Sequence, residues 1–175
     1  LKIEGRDALQ LAWDSSGVEK VHSADLLARY KALAQKPGAL KYDADMAPLA
    51  TAPKKIRAEF TFPYLAHAPM EPLNCTVQLN GSGADAQAVL YLGTQMPGMD
   101  AMAAAKVLGL APDKVKVHVQ MAGGGFGRRA VPTADYVVEA CTVARLARAA
   151  GVDAPIRVLW SREDDIKGGY YRPLH

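Results

Sequence analysis

The sequence predicts an α/β (α+β) fold in which strands and helices alternate. Half of its 175 residues are hydrophobic and 22% are charged, a balance typical of a globular domain with a buried core. Short apolar stretches typical of strands are separated by longer stretches in which apolar residues recur at helical spacing. Glycine and proline residues punctuate both kinds of stretch. This alternation indicates helices packed in a layer against a sheet.

The amino-terminal third predicts one helix followed by a connector. Ser23 is predicted to cap a helix over residues 24–35, and a Lys-Pro-Gly sequence ends its apolar pattern. Residues 39–53 are rich in Ala, Pro and Asp and have no apolar period. We therefore expect an N-terminal segment over residues 1–53 and the main compact unit over residues 54–175.

Five stretches of the main unit are predicted to be strands, because they combine apolar alternation or short apolar runs with β-branched and aromatic residues. An Asn-Gly-Ser-Gly sequence between the second and the third of them predicts a turn. The predicted strands are residues 56–64, 75–79, 88–92, 115–121 and 156–160.

Two helices are predicted between these strands. The first begins at Pro97, has the carboxylate of Asp100 near the positive end of its dipole, and ends at Gly109. The second covers residues 132–150, with acidic residues early, arginines late and Gly151 at the C-terminal capping position.

Charge and cysteine content narrow the class of protein. The 21 Lys+Arg and 18 Asp+Glu residues are mixed along the chain, which disfavours nucleic acid as a partner. No apolar run approaches the roughly 18 residues of a transmembrane segment. Cys75 and Cys141 lack metal-ligand spacing, and buried hydrophobic roles are favoured over a disulfide. The chain starts at Leu1, and we expect it to be part of a longer protein.

A glycine-rich segment, Ala-Gly-Gly-Gly-Phe-Gly-Arg-Arg, occupies residues 122–129 between a predicted strand and a predicted helix. Glycines let a backbone take positive φ and present successive N–H groups to an anion. The segment is neither a dinucleotide fingerprint nor a P-loop, because Arg128 occupies the position of the third Rossmann glycine and no Gly-Lys-Ser/Thr follows. An anion-binding loop and a simple hinge both remain open on composition alone.

Four motifs, taken in order, resemble the large, molybdopterin-binding subunit of the molybdenum hydroxylase superfamily, which includes xanthine dehydrogenase and aldehyde oxidase. They are Ala-His-Ala-Pro-Met-Glu-Pro-Leu-Asn-Cys at 66–75, Gly-Thr-Gln at 93–95, Gly-Gly-Gly-Phe-Gly at 123–127, and Ser-Arg-Glu-Asp-Asp at 161–165 followed by two glycines. The resemblance covers residues from about Lys54 onward and implies a fragment of a molybdopterin-binding domain.

The Arg128-Arg129 pair makes the chain most similar to the branch of the isoquinoline 1-oxidoreductase beta subunit and related aldehyde dehydrogenases. Purine-oxidising relatives have a glutamate where this chain has Ala130, and a methyl group cannot bind the purine ring in its place. The resemblance therefore implies molybdenum-dependent oxidation of aldehydes or N-heteroaromatic compounds with water-derived oxygen.

The resemblance also implies which residues approach the cofactor. Gln95 matches a glutamine whose amide donates a hydrogen bond to an oxo ligand of molybdenum, and the others match the pterin-site loop. The implied cofactor-binding residues are Gln95, Gly124, Gly125, Phe126, Gly127 and Arg128. No residue is implied as a direct metal ligand. The catalytic carboxylate of the family lies beyond His175, so we expect no catalytic residue in this chain and no activity from it alone.

Further implications concern cofactors, partners and location. The family resemblance implies molybdopterin, in this branch the cytosine dinucleotide form, together with iron–sulfur clusters in a small partner subunit. Members of this branch are often exported folded to the periplasm, so a periplasmic location is expected by analogy and a cytoplasmic one otherwise.

Three weaker signals and two other functions complete the predictions. His67 is expected to make structural hydrogen bonds in preference to shuttling protons, Glu71 to brace its loop, and residues 161–165 to form a charged turn in preference to a metal loop. The alternative functions are a non-catalytic phosphate- or nucleotide-binding module and a subunit-docking module.

Overall fold

The computed structural model describes residues 8–39, 42 and 44–172. The chain divides into two compact units, one that ends at Arg57 and one that begins at Ala58. The boundary between residues 53 and 54 stays a sequence-based prediction.

The described residues of the first unit form two helices, α1 (Ser23–Leu33) and α2 (Ala47–Thr51), neither of which has a buried residue. The prediction that Ser23 caps α1 is wrong. His22 occupies the capping position, and no side chain caps the helix. The predicted connector is not entirely irregular either, because a proline in the first turn supports α2.

The second unit is built on a mixed four-stranded sheet with the strand order β4-β3-β2-β5. β3 and β4 are parallel, whereas β2 is antiparallel to both β3 and β5. A separate antiparallel pair joins β1 to β6. The strands are β1 (Leu65–Ala66), β2 (Asn74–Asn80), β3 (Gln87–Leu92), β4 (Val115–Val119), β5 (Ile156–Leu159) and β6 (Tyr171–Arg172).

Helices α3 (Pro97–Leu108) and α4 (Asp135–Ala149) pack against each other and against the sheet. Alternate strand residues point towards them, which gives an α+β layer structure and confirms the predicted fold class. The fully buried side chains that form this core include Leu73, Cys75, Val77, Leu90, Leu92, Val137, Ala140 and Cys141.

The two buried cysteines are free thiols, as predicted. Burial raises the pKa of both Cys75 and Cys141, so they remain protonated and pack as small apolar groups.

The predicted strand over residues 56–64 is wrong. Those residues are irregular, and pairing begins only with β1. Apolar alternation is present, but Ile56 and Phe60 are 85% and 72% exposed. Apolar alternation forms a strand only where a neighbouring strand can pair with it, and in the described part of the chain neither sheet extends to this segment.

Helix boundaries depart from prediction at two places. Helix α4 starts at Asp135, three residues after the predicted start, because Ala134 takes a left-handed conformation with φ +46°. The predicted charged turn is instead the start of a short helix, α5 (Arg162–Lys167), where Ser161 Oγ accepts a hydrogen bond from the Asp164 N–H. No helix among the described residues is long and apolar enough to cross a membrane.

Candidate functional site

Three separate chain segments meet at one edge of the sheet. The parallel strands β3 and β4 end side by side, and the Gln120 N–H donates to the Leu92 carbonyl at 2.9 Å just beyond them. Residues 93–95 leave β3 and residues 122–130 leave β4 at this edge. The loop before β2 joins them, because the Glu71 N–H donates to the Gly123 carbonyl at 3.2 Å. Ligand sites of α/β sheets collect at such carboxyl ends.

The glycine-rich segment presents its backbone to the outside of the molecule. Gly124, Phe126 and Gly127 have φ of +106°, +55° and +98°, conformations that glycine adopts without strain but phenylalanine does not. Within the described part of the chain, no group accepts a hydrogen bond from the N–H of residues 124, 125 or 126. Gly124 and Phe126 have positive φ and Gly125 between them does not, and successive unpaired N–H groups in such a turn form a concave site for anionic oxygens.

Close approach of neighbouring side chains explains two of the glycines. A Cβ at Gly125 would lie 2.7 Å from Gln95 Oε1, and a Cβ at Gly123 would lie 2.5 Å from the Glu71 Cβ. A side chain at Gly123 would push the segment away from Glu71, and one at Gly125 would displace the Gln95 amide. Packing therefore explains Gly123 and Gly125, whereas backbone conformation explains Gly124 and Gly127.

Gln95 adjoins the glycine-rich segment, as the sequence predicts. Its N–H donates to the Arg129 carbonyl at 3.1 Å, and its Oε1 accepts from the Gly127 N–H at 3.0 Å. Only the oxygen of an amide can accept from an N–H, so the Nε2 end is directed away from Gly127. Gln95 is exposed, and its Nε2 is available to donate to a ligand.

A buried carboxylate holds the residue next to Gln95. Thr94 Oγ1 donates to Asp100 Oδ2 and accepts from the Met96 N–H at 2.9 Å. Burial raises the pKa of Asp100 above its ordinary value, and the Thr94 hydrogen bond opposes that rise. The turn that carries Gln95 is thereby fixed to the start of α3.

Glu71 and Arg129 form an ion pair behind the glycine-rich segment, buried at Arg129 and half-buried at Glu71, with Arg129 Nη2 2.9 Å from Glu71 Oε2. Glu71 Oε2 also accepts from the Gly123 N–H at 2.9 Å, so its predicted bracing role is confirmed. Burial raises the pKa of Glu71, but hydrogen bonds from Gly123 and Asn74 and the charge of Arg129 outweigh it and leave the pKa below its ordinary value. Glu71 therefore stays ionised.

Arg128 points to the other side of the segment. Its guanidinium is buried, makes a two-pronged ion pair with Asp135 at 2.7 and 3.0 Å, and lies 5.4 Å and 5.6 Å from the ring centroids of Trp160 and Tyr170. Its N–H donates to the Gly125 carbonyl at 2.9 Å. The side chain thus ties the end of the glycine-rich segment to Asp135 at the start of α4, and a direct contact with a cofactor stays a prediction.

His67 lines a cavity of about 520 Å³ beside Phe126, whose ring is 72% exposed. Burial lowers the pKa of His67 below its ordinary value, with the charges of Arg128 and Arg172 acting in the same direction. The Tyr170 backbone lies close enough to oppose this, but no hydrogen bond of good geometry reaches the buried Nδ1 in the described chain. A neutral His67 is the form that this environment favours.

The described residues contain no group of three or more His, Cys, Asp or Glu side chains arranged to hold a metal ion. The site instead offers backbone N–H groups, one exposed amide and an exposed aromatic ring. This set of groups fits an organic ligand with anionic and hydrogen-bond-accepting oxygens.

Sequence and structure comparisons identify relatives of the chain. Residues 31–173 match the family described as the molybdopterin cofactor-binding domain. The isoquinoline 1-oxidoreductase subunit beta of Brevundimonas diminuta is 44% identical over 105 residues, which cover 60% of this chain and 12% of that protein. The crystal structure of quinoline 2-oxidoreductase from Pseudomonas putida 86 matches with a TM-score of 0.50 and 25% identity, over 69% of this chain and 14% of that one. The chain therefore spans a small fraction of the length of these relatives.

Proposed function

This chain belongs to the molybdopterin cofactor-binding domain family, and on that premise we propose that it forms one wall of the cofactor site in a molybdenum-dependent oxidoreductase. The observation that carries the proposal is the placement of Gln95 against the glycine-rich segment, with the Gly127 N–H bonded to Gln95 Oε1. One amide donor and a row of unpaired backbone donors then face the same space.

The residues of the site fit such a cofactor. The unpaired N–H groups of residues 124–126 can receive anionic oxygens of a pterin cofactor without added positive charge. Gln95 Nε2 can donate to an oxygen at the molybdenum centre, and because the amide is neutral it leaves the local charge unchanged. Gly127 fixes the orientation of that amide, and the exposed ring of Phe126 covers an apolar part of the site.

When bound, the molybdenum cofactor supplies the redox chemistry of oxidation with water-derived oxygen. In this proposal, the described residues bind the cofactor and orient it. Asp100 and Thr94 hold the turn that carries Gln95. The Arg128 N–H and the Glu71 carboxylate hold the glycine-rich segment, and His67 is kept neutral beside the cavity. The catalytic carboxylate comes from another part of the complete protein.

The substrate class is an aldehyde or an N-heteroaromatic compound. The names of the two relatives, an isoquinoline and a quinoline oxidoreductase, favour the N-heteroaromatic compounds. Ala130, which follows the glycine-rich segment, offers a methyl group and no carboxylate to a ring with several polar edges. Purines are therefore disfavoured.

The proposal extends to the form of the cofactor and to a partner. We infer the cytosine dinucleotide form of molybdopterin and a small subunit that carries iron–sulfur clusters. The match to a protein described as a subunit beta supports a multi-subunit enzyme.

The test uses the complete enzyme purified with its own subunits. We expect it to contain stoichiometric molybdenum and to oxidise isoquinoline or an aromatic aldehyde, with oxygen from isotopically labelled water appearing in the product. A complete enzyme that contains no molybdenum after expression in a host with an intact cofactor pathway, and that oxidises neither substrate, would contradict the proposal.

A further inference from the structure

Arg129 is among the most completely buried residues of the second unit, with a side chain that has no solvent exposure. It lies in a 3₁₀ turn (Arg128–Ala130) at the end of the glycine-rich segment. A buried guanidinium retains all of its N–H donors and must find acceptors for them. The acceptors it finds come from three different parts of the chain.

Each of the three guanidinium nitrogens donates to a different segment of the chain. Nε donates to the Gly124 carbonyl at 2.8 Å, inside the glycine-rich segment. Nη1 donates to the Gly93 carbonyl at 3.1 Å, two residues before Gln95. Nη2 donates to the carbonyl and the carboxylate of Glu71, at 3.1 and 2.9 Å. These three segments form the edge of the site.

The backbone of Arg129 adds a contact on the opposite side. Its carbonyl accepts from the Gln95 N–H at 3.1 Å. The Arg129 side chain therefore binds the segment that presents the unpaired N–H groups. The Arg129 carbonyl binds Gln95, the residue that presents the amide.

The neighbouring residues leave little freedom around this arrangement. A Cβ at Gly93 would lie 3.3 Å from Arg129 Nη1 and 2.9 Å from the Ala122 Cβ. The Tyr136 hydroxyl donates to the same Gly93 carbonyl at 3.0 Å. The carbonyl is thus aimed at Arg129 by packing on both sides.

We propose that Arg129 is a positioning residue, which sets the distance between the Gln95 amide and the N–H groups of residues 124–126 and so shapes the site for its cofactor. This inference rests on the proposed function. Arg129 contacts no reacting atom, and it acts through Gly124, Gly93 and Glu71. Lysine cannot replace it, because an ammonium group lacks the planar fork that reaches three acceptors in fixed directions.

The test compares Arg129→Lys with Arg148→Lys in the complete enzyme. Arg148 also donates to backbone carbonyls, those of Leu79 and Gly81 at 2.6 and 3.0 Å, but it does so at the β2–β3 turn. Two readouts are needed. Hydrogen exchange is followed at the amides of Gly123, Gly127 and Gln95, which are bonded in the parent, and kcat and KM are measured in molybdenum-loaded enzyme.

For Arg129→Lys we expect faster exchange at those three amides than in the parent, unchanged exchange in β2 and β3, and a fall in kcat of roughly 10- to 100-fold at a similar KM. Arg148→Lys should leave the site amides and kcat as in the parent. Parent-like exchange and kcat for Arg129→Lys would overturn the proposal, and so would exchange that rises equally throughout the sheet.

If Arg129→Lys does not accumulate as folded protein, Glu71→Gln is tested in its place. Glutamine has nearly the same shape as Glu71 but lacks the negative charge that Arg129 Nη2 contacts. The same pattern in a milder form is expected, and parent-like values would overturn the proposal. A parent enzyme without molybdenum would contradict the proposed function, and the exchange data alone would then decide the role of Arg129.

Discussion

Asp100 is a buried carboxylate in the first turn of α3, with a side chain that accepts from Thr94 Oγ1. Burial raises the pKa of Asp100, the charge of Asp135 adds to the rise, and the Thr94 hydrogen bond opposes it. A raised pKa in the folded state means that the folded protein binds this proton more tightly than the unfolded chain does. Ionisation of Asp100 therefore works against folding.

This linkage predicts the pH dependence of Asp100→Asn. The contribution of Asp100 to stability is fully present below the ordinary carboxyl pKa and is lost as the pH rises through the raised pKa. Asparagine keeps an acceptor for Thr94 without a charge to bury. We expect the variant to be more stable than the parent at neutral pH, with an advantage that shrinks as the pH falls towards 3.8.

Urea unfolding at a series of pH values measures this difference. An Asn variant that is less stable than the parent at neutral pH would contradict the account, and it would show that the helix N-terminus stabilises the carboxylate more than burial penalises it.

At the scale of single residues, the sequence was informative where the chemistry is local. The position of Gln95 beside the glycine-rich segment was predicted because the family resemblance places both at the cofactor site and because each follows a predicted strand. Arg129 was missed as a structural centre, because a charged residue is by default expected at the surface. Its burial depends on three carbonyls that come from residues 5, 36 and 58 positions away, and no local pattern indicates such a set.

At the scale of elements, two glycines of helix α3 are expected to respond to alanine substitution with opposite changes in stability. Gly109 ends the helix at φ +68°, whereas Gly98 lies within the first turn without a positive φ, and a Cβ would meet nothing within 4 Å at either position. Differences between the two substitutions therefore report backbone conformation and not packing.

We expect Gly109→Ala to destabilise the chain by about 1 kcal/mol, because alanine is strained in the left-handed region. Gly98→Ala should instead stabilise it by about 0.4–1 kcal/mol, because it lowers the entropy of the unfolded chain. Free energies of unfolding from urea titrations of both variants check the pair. Shifts of the same sign would show that the conformation of one of these positions differs from the structure.

Helices and strands were predicted correctly where the apolar pattern is bounded by clear start and stop signals. Helix α3 has both Pro97 and Gly109 as signals, and its bounds were predicted correctly. The wrongly predicted strand over residues 56–64 has a local apolar pattern but joins neither sheet of the described chain, and strand pairing is a property of the tertiary structure. Residues 161–165 were expected to form a charged turn because of their acidic run. The capping signal of Ser161, whose hydroxyl caps α5, was overlooked.

At the scale of the whole molecule, the sheet and its two helices bring together segments that are distant in the sequence. The loop over residues 67–73, the end of β3 and the glycine-rich segment become neighbours because the parallel β3 and β4 end at the edge where the antiparallel β2 begins. Composition and periodicity predicted the layers, and the resemblance of four ordered motifs predicted the meeting point.

The central claim is that the Gln95 amide serves a bound cofactor and not the fold. Two variants separate its two ends. Gln95→Ala removes both ends of the amide. Gln95→Glu keeps an oxygen for the Gly127 N–H and removes the Nε2 donor. Gln87→Ala, at the exposed start of β3, is the matched control.

The most direct measurement is the turnover of these variants in the complete enzyme, with molybdenum content confirmed for each. Loss of one positioned donor predicts a fall in kcat of about 100- to 1,000-fold for both Gln95 variants, with Gln95→Glu keeping the parent's exchange at Gly127. Gln87→Ala should turn over like the parent. Parent-like rates for Gln95→Ala and Gln95→Glu on every substrate that the parent accepts would remove Gln95 from the site and contradict the account.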